Sequence, residues 1–315
     1  MNSEEIQKWQ EAGKLARDAL NYGKTLIRQK ASMLDVTNKI EQFIIDNGGN
    51  MAFPTNLAVN NVGAHWTPSN KSKEVFQNGD LVKLDVGVHI EGYIGDNALT
   101  VEIGTTKYTK MIEASREALN AAIEVAAPGI NVGMIGYAVQ DVIEGYGFRP
   151  IANLTGHAIK RYNLHSGVSI PSVRENGGAI LKNGDVIAIE PFATDGAGRV
   201  GGKRNSNIYH LRQIRKMRDE KATELMTEIQ KRYHGLPFAE RWLHSIQDDA
   251  TKSLQKLMRT GVVSYYPILD ELGQKIFTGG FKSESERNQL YIDITKACLD
   301  ESVRLWVVTA VNNIC

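Results

Sequence analysis

Apolar residues recur at helical spacing early in the chain and alternate with polar residues at strand spacing further on. Residues 4–30 carry apolar side chains three or four positions apart, which predicts an amphipathic helix. A second helix is predicted over 35–47, where Gly48-Gly49 ends it. The later predicted elements are strands at 80–90 and 93–103, helices at 106–127 and 132–146, and strands near 150–157, 166–171 and 184–193.

This order of elements occurs twice, and short sequences recur in corresponding places. Asn78-Gly79-Asp80 precedes one predicted strand and recurs as Asn183-Gly184-Asp185 before another. Each copy is followed by an apolar strand that ends in a carboxylate, Asp85 in the first and Glu190 in the second. Asn-Gly-Asp is also a common turn sequence, so chance similarity is the alternative. Two further matches occur in the same order: Arg17-Asp18-Ala19-Leu20 recurs as Arg116-Glu117-Ala118-Leu119, and the helix end Asp46-Asn47-Gly48-Gly49 resembles Glu144-Gly145-Tyr146-Gly147. Three matches in this order favour an internal duplication, which would bring two halves together around one site.

Residues 204–262 differ in character from the segments before them. They are rich in basic and helix-forming residues and are interrupted at Gly235-Leu236-Pro237, which predicts a helical insert. Its run of charges is interpreted as a solvated face of a helix. The predicted segments are a catalytic domain over 1–203, the insert over 204–262, a return to the catalytic domain over 263–273, and a tail over 274–315 in which 284–311 forms one long helix.

The composition is that of an ordinary globular protein, with 42% hydrophobic and 23% charged residues. The 37 basic and 36 acidic side chains give a net charge of +1, which provides no reason to expect nucleic acid or an anionic membrane as partner. Cys298 and Cys315 suggest no disulfide framework. The first residues lack the apolar region of a secretory signal, and no run approaches the roughly 18 apolar residues of a membrane span. We therefore expect a cytoplasmic protein.

The two strongest strands predict a hairpin that brings two aspartates together. Glu91-Gly92 is a suitable two-residue turn, so that Gly87 pairs with Asp96 and Asp85 pairs with Ala98. Asp85 and Asp96 then share one face as diagonal neighbours, roughly 7–8 Å apart, and Gly87 leaves open space beside Asp96. A carboxylate on an apolar strand is rare unless it is paired or binds a metal. For either aspartate alone, a solvent-facing position is the alternative.

A third carboxylate and three histidines complete the candidate site. Glu190 lies at the end of its strand, and three carboxylates lie together only if cations neutralise them. His157 and His165 lie in short polar turns flanked by glycine, and His65 lies in a loop, where a lone histidine is more often structural. Carboxylates with an imidazole suit Co, Mn, Fe or Zn ions. We predict one or two divalent ions, which would activate water and polarise a peptide carbonyl.

At these residues the sequence resembles the type II methionine aminopeptidases of archaea and eukaryotes. The resemblance covers about residues 1–270 and depends on several segments in the same order. They include Ala52-Phe53-Pro54-Thr55-Asn56, Ala64-His65-Trp66-Thr67-Pro68, Gly156-His157 and Ile189-Glu190-Pro191-Phe192. The resemblance implies an α+β fold of the pita-bread type, with a pseudo-twofold duplication and the helical insert that separates type II from type I. It also implies removal of N-terminal methionine from nascent proteins when the next residue is small.

The resemblance assigns metal ligands residue by residue. Asp85 would hold one metal and Asp96 would bridge both, while His157 and Glu190 would complete the other site. The family has a fifth ligand, a second bridging Glu in an Ala-Gln-Phe-Glu-His-Thr-like segment near the C-terminus. This sequence follows the family through residues 265–269 and then lacks such a segment. The first site keeps three of its four protein ligands and the second keeps two, so we predict one weakly held ion and poor or absent activity.

The resemblance also assigns the substrate side of the site. His65 and His165 would contact the peptide group of the substrate and stabilise developing charge. Phe53 would form a wall of the pocket for the methionine side chain. The expected enzyme is a monomer that acts on the N-terminal methionine of new chains. The rival hypothesis is a non-catalytic pita-bread protein that binds proteins or the ribosome. The retained ligands favour the enzyme, whereas the missing Glu favours the rival.

Overall fold

The computed structural model describes residues 1–272, 306–309 and 312–314. The elements of its first half are α1 (Ser3–Leu26), α2 (Met33–Asp46), β1 (Asn50–Val59), β2 (Val62–Ala64), β3 (Leu81–Ile90) and β4 (Tyr93–Glu102). β1, β3 and β4 form an antiparallel sheet in that order. Apolar side chains of α1 and α2 pack on this sheet and form a buried core, as their helical spacing predicts.

The second half repeats this arrangement with shorter strands. Its elements are α3 (Thr109–Val125), α4 (Val132–Gly145), β5 (Arg149–Pro150), β6 (Gly156–Ile159), β7 (Ser169–Ile170), β8 (Val186–Ile189), β9 (Phe192–Thr194) and β10 (Val200–Gly201). α3 and α4 pack together over β8 and β9 and form a second buried core. The strand predicted near 150–157 is therefore two short strands, β5 and β6, which belong to different sheets.

The two halves enter their carboxylate-bearing strands through the same turn. The Asp80 carboxylate accepts a backbone N–H from three residues earlier at 2.7 Å, and the Asp185 carboxylate does the same at 2.7 Å. Gly79 and Gly184 both have a φ of 91°, in the left-handed region that glycine adopts without a Cβ penalty. The recurrence of Asn-Gly-Asp thus reflects a repeated backbone conformation, which agrees with the predicted duplication.

The predicted hairpin of β3 and β4 is confirmed residue by residue. Gly87 lies opposite Asp96, Asp85 lies opposite Ala98, and Glu91-Gly92 forms the turn. Both turn residues have positive φ, 49° and 90°, as the two-residue turn that matches strand twist requires. The strands are buried over much of their length on both faces, since helices cover one face and the second half of the fold covers the other.

The insert is only partly helical, so the prediction of a helical segment from residue 204 onward is wrong at its start. Residues 205–211 form a strand and residues 212–217 are irregular. The strand turns Tyr209 into the insert's own core, which explains why a basic sequence begins with extended structure. The elements are β11 (Asn205–Leu211), α5 (Glu220–Tyr233), β12 (Phe238–Ala239), α6 (Glu240–Leu243), α7 (Ala250–Arg259), β13 (Val263–Pro267) and β14 (Leu269–Glu271). The boundaries of the four segments stay a prediction.

The tail contributes two short strands to the second half of the fold. β15 (Trp306–Thr309) runs parallel to β8, and β16 (Asn312–Ile314) runs parallel to β9. The prediction of one helix over 284–311 is therefore wrong at 306–309, where β-branched residues extend the sheet. The rest of that predicted helix, like Cys298 and Cys315, lies outside the described residues. Within the described ranges, no helix combines the length and the apolar character that crossing a membrane requires.

Candidate metal centre

The four predicted ligands come from both halves of the fold. Asp85 lies on β3 and Asp96 lies on β4, at the diagonal positions that the hairpin predicts. Glu190 follows directly after β8. His157 lies within β6, opposite Ala188, so its predicted place in a polar turn is wrong. The strand holds this imidazole beside β8 and therefore beside Glu190, which a mobile turn would not do.

His157 lies between two of the carboxylates at a separation that suits a shared ion. Its Nε2 is 3.5 Å from Asp96 Oδ2 and 3.5 Å from Glu190 Oε1. Two donors that each lie about 2.1 Å from one ion, at a tetrahedral angle, are about 3.4 Å apart. All three side chains are largely buried. The two spacings thus fit a cation that His157 shares with Asp96 and with Glu190.

Asp85 supplies a further observation in favour of a cation. Its Oδ1 is buried and accepts no hydrogen bond within the described part of the chain. A buried carboxylate oxygen without a donor is costly unless a cation neutralises it. Among the described residues, however, no three His, Cys, Asp or Glu side chains are gathered tightly enough to hold a metal as they stand. The fit therefore depends on the two His157 distances and on the unpartnered oxygen of Asp85.

Burial and repulsion between negative charges raise the pKa of two carboxyl groups of the cluster, those of Asp85 and Glu190. The pKa of Asp85 is raised well above 3.8, first by burial and then by the charges of Asp96 and Glu190. Burial also raises the pKa of Glu190 from 4.5 to about 8. Burial opposes protonation of His157, but the interactions with Asp96 and Glu190 outweigh it and raise its pKa above 6.5. The site thus has a strong electrostatic demand for positive charge, which a proton or a divalent cation satisfies.

Two further histidines lie next to this cluster around one tyrosine. The ring of His165 is 4.4 Å from the ring of His157, measured between centroids. The ring of Tyr266 is 5.2 Å from His65 and 6.3 Å from His165. His65 belongs to the first half, His165 to the second, and Tyr266 to β13 after the insert. The structure therefore brings together all three histidines that the sequence predicts.

The tautomer of His65 follows from its hydrogen bond. Its Nδ1 is 3.3 Å from the carbonyl oxygen of Pro267, which only accepts, so Nδ1 donates and Nε2 keeps a lone pair. Burial lowers the pKa of His65 to about 4, and this ring is therefore neutral at pH 7. The φ of His65 is 61°, a strained value for a non-glycine residue of the kind that clusters at functional sites. His65 thus keeps Nε2 as a hydrogen-bond acceptor, on a ring that lies beside Tyr266.

His165 is exposed to solvent, although other imidazoles lie close to its ring. Desolvation lowers its pKa first, and the neighbouring His157 and His65 lower it further. A neutral His165 can donate or accept a hydrogen bond, depending on its partner. His165 and His65 are therefore both uncharged polar groups close to the candidate ligands.

Phe53 closes the space that the sequence predicts to be open above Gly87. A Cβ added at Gly87 would lie 2.3 Å from Phe53 Cε1, so the phenyl ring fills the position of the absent side chain. Phe53 pairs with Gly87 across β1 and β3, and Gly87 pairs with Asp96. The prediction of open space beside Asp96 is wrong because an aromatic ring from the adjacent strand occupies it. Phe53 itself therefore lies beside the candidate metal ligands.

Sequence reasoning missed two residues of this cluster. Tyr266 follows the family pattern in the segment Tyr265–Leu269, but its spacing gave no sign of a role. His210 on β11 packs against Tyr266 with ring centroids 4.9 Å apart, and its Nδ1 is buried without a hydrogen-bond partner in the described structure. His210 lies on β11 at the start of the insert, and Tyr266 lies on β13 just after it. Their proximity to His65 depends on long-range packing, which residue spacing does not encode.

The strands from the tail supply no further ligand type. β15 lies beside β8 and β16 lies beside β9, on either side of Glu190 in the chain. Their sequences are Trp-Val-Val-Thr and Asn-Asn-Ile, without a carboxylate or an imidazole. The Glu that the resemblance expects near the C-terminus thus has no counterpart in these two strands. Glu284 and Glu286 lie outside the described residues.

Two repeated halves with a carboxylate and histidine cluster between them define the class of this protein. The sequence matches the model of metallopeptidase family M24 over residues 7–218. The chain belongs to this family. Solved structures agree on the fold: a thermophilic Arx1 superposes with a TM-score of 0.76 at 15% identity, covering 86% of this chain and 85% of that one.

Within the family, the sequence falls among the methionine aminopeptidases. The methionine aminopeptidase of Archaeoglobus fulgidus is 41% identical over 93% of this chain and 97% of its own length. The crystal structure of methionine aminopeptidase from Thermotoga maritima has a TM-score of 0.60 and 30% identity, covering 64% of this chain and 85% of that one. The resemblance to type II methionine aminopeptidases and the pita-bread fold are thereby confirmed.

Proposed function

We propose that this chain is a metal-dependent methionine aminopeptidase that removes N-terminal methionine from nascent proteins. The observation that carries the proposal is the placement of His157 at 3.5 Å from both Asp96 and Glu190, within a chain 41% identical to a methionine aminopeptidase. Release of methionine from a Met-Ala-Ser peptide by the Mn²⁺-loaded protein tests it directly. Slow release is expected because of the missing Glu, and no detectable release from the folded, metal-loaded protein would contradict the proposal and favour the non-catalytic alternative.

The ligand roles follow from the donor set. Asp96, His157 and Glu190 would hold one divalent ion, and Asp85 would bind a second ion or support the first. When bound, a divalent metal supplies an activated water molecule and polarises the peptide carbonyl. Oxygen donors with one imidazole suit Co, Mn, Fe or Zn, and the site gives no reason to prefer one of them.

The remaining residues would position the substrate. Phe53 offers an apolar wall beside the ligands, suited to a methionine side chain. The Nε2 lone pair of His65 is suited to accept a hydrogen bond from the substrate's peptide N–H. His165, which adjoins His157, would donate to the peptide carbonyl oxygen as charge develops there. Both imidazoles act in the neutral form, which their lowered pKa values favour near pH 7.

Replacement of His165 by alanine is expected to lower kcat for a methionyl peptide by about 10²–10³-fold, the usual cost of one lost donor to a developing oxyanion. Bound Mn²⁺ is expected to stay unchanged, because His165 is outside the proposed ligand set. Steady-state kinetics and metal analysis of the same preparation separate the two effects. His244→Ala, in the insert and away from the cluster, serves as the matched control. Loss of metal together with kcat would assign His165 a ligand role instead.

The missing Glu leads to an expected metal content of one ion per chain. We expect titration with Mn²⁺ to give one weak site and slow turnover, since the second position keeps only Asp85 and Asp96 among the expected ligands. Isothermal titration calorimetry measures the number of ions, and peptide cleavage at each metal level measures their effect. Two tightly bound ions with rapid turnover would show that another group replaces the missing Glu.

The rival function, a non-catalytic protein that binds proteins or the ribosome, has less support. Its best argument is the missing Glu, whereas a purely binding protein has no physical need for clustered, partly neutralised carboxylates in its interior. We further propose that the enzyme is a monomer and acts in the cytoplasm, where nascent chains become available. Gel filtration with light scattering tests the monomer, with a stable dimer as the contrary result.

A further inference from the structure

A buried ion pair joins the insert to the first half of the fold. Arg241, from α6 of the insert, donates from Nη2 to Glu41 Oε1 on α2. The two side chains are 5% and 7% exposed. Trp242, the next residue in the insert, donates from Nε1 to the other oxygen of Glu41 at 2.8 Å. Removing two charges from water is costly, and an apolar pair of similar volume is often as stable, so stability alone does not account for this pair.

The second guanidinium nitrogen of Arg241 reaches the loop that carries His65. Nη1 donates to Thr67 Oγ1 at 2.8 Å and to the Pro68 carbonyl at 3.2 Å. Thr67 is fully buried and lies two residues after His65. One guanidinium group thus holds both α2 and the His65 loop, which lysine, with a single nitrogen, is not shaped to do.

The same network reaches the strand segment that carries Phe53. Thr67 Oγ1 donates to the carbonyl oxygen of Thr55 at 2.8 Å, and the backbone N–H of Thr55 donates to Glu41 Oε1 at 3.2 Å. Thr55 lies two residues after Phe53, within the part of β1 whose pairing with β3 is irregular. Irregular pairing leaves this backbone without regular ladder bonds, so the side chains of Glu41 and Thr67 fix it instead.

We propose that Arg241 is a positioning residue, through which the insert fixes the Phe53 and His65 segments against the metal ligands. This inference rests on the proposed function, because those two segments form its substrate side. Within the described part of the chain, the hydrogen bonds of Arg241 go to Glu41, Thr67 and Pro68 and not to the candidate ligands or to His65 and His165. Arg241 therefore acts on the site through Thr67 and Glu41, and the insert contributes to the geometry of the site.

The test replaces the ion pair without leaving an unpaired charge. Arg241→Met combined with Glu41→Gln keeps one amide oxygen, which can accept from either Trp242 Nε1 or the Thr55 N–H, while removing the bonds to Thr67 and Pro68. We expect kcat/KM for a methionyl peptide to fall about tenfold or more, mainly through KM, with bound Mn²⁺ unchanged. Selectivity for N-terminal methionine over leucine is expected to fall as well, which a merely structural role would not change.

A second variant covers the case in which the double variant does not fold. Thr67→Val is nearly isosteric and removes only the hydroxyl that links Arg241 to Thr55, and we expect it to lower kcat/KM severalfold. Arg232→Met with Glu228→Gln is the matched control, because this pair lies in the same insert but is exposed, with Nε 3.1 Å from Oε2. The control is expected to behave as the wild type.

Hydrogen exchange separates failure of this inference from failure of the proposed function. In the Arg241 and Thr67 variants, amide protection over residues 55–57 and 65–67 is expected to fall about tenfold, while residues 93–101 of β4 keep theirs. If the wild type releases no methionine, the proposed function fails and exchange alone decides the positioning role. The positioning role would be overturned if amide protection is unchanged in these variants and if kcat/KM and selectivity, in preparations that are active, equal those of the wild type.

Discussion

Replacement of Asp96 by asparagine is expected to abolish methionine release, with kcat/KM reduced by more than about 100-fold. Loss of an outer-shell partner alone costs about 10–100-fold, and Asp96 is proposed to contact the metal itself. The amide keeps the size of the side chain but removes the negative charge that faces His157 Nε2. Bound Mn²⁺ is expected to fall with activity. Steady-state kinetics and metal analysis on one preparation measure both.

Asp141→Asn is the matched control for this substitution. Asp141 is exposed on α4 and forms its ion pair with Arg174, so its charge lies on the surface instead of in the cluster. Surface ion pairs contribute little, and full activity is expected. Asp96→Asn protein with kcat/KM within about threefold of the wild type would remove Asp96 from the reaction. An unfolding midpoint of the Asp96→Asn protein equal to that of the wild type would show that any loss of activity is not caused by loss of folding.

For protein freed of metal by a chelator, the free energy of unfolding is expected to fall by several kcal/mol as the pH rises from about 5 to 8. In the folded protein the pKa of Glu190 is about 8, against 4.5 without burial. The folded state therefore binds a proton that the unfolded state has released, and stability falls with rising pH between these values. Asp85, with its raised pKa, contributes in the same direction. Each unit between the two pKa values corresponds to about 1.4 kcal/mol.

Urea unfolding of the chelated protein at several pH values measures this dependence. His157 adds to it with the same sign, since its raised pKa stabilises the folded state at low pH and this contribution is lost as the pH rises through it. Saturating Mn²⁺ is expected to flatten the curve, because the cation replaces the bound protons. Glu190→Gln is the control and is expected to reduce the slope. A slope that is the same in wild type and Glu190→Gln protein would contradict the assignment.

Local rules were sufficient for the parts of the fold that short-range geometry determines. The Glu91-Gly92 turn fixes the register of β3 and β4, so the diagonal placement of Asp85 and Asp96 followed from alternation alone. The turn at Asp80 recurs at Asp185 because the same three residues adopt the same backbone conformation. The carboxylates of the site were therefore predictable from spacing, as was their demand for a cation.

Long-range packing accounts for what the sequence did not reveal. His157 lies in a glycine-flanked segment typical of a turn, but pairing with β8 makes it a strand residue. The gap at Gly87 is filled by Phe53, a residue from another strand whose register contains irregularities. Arg241 lies 200 residues from Glu41 in the chain, and no local pattern connects them. Such contacts depend on how the halves and the insert pack, which periodicity does not specify.

Anomalous diffraction from a crystal soaked in Mn²⁺ locates the cation without reference to activity. We expect one strong peak between Asp96, His157 and Glu190, at about 2.0–2.3 Å from a donor atom of each. A second, weaker peak beside Asp85 is compatible with the same site. A peak elsewhere, or no peak between these three residues in protein that releases methionine, would contradict the claim that both halves supply ligands to one metal.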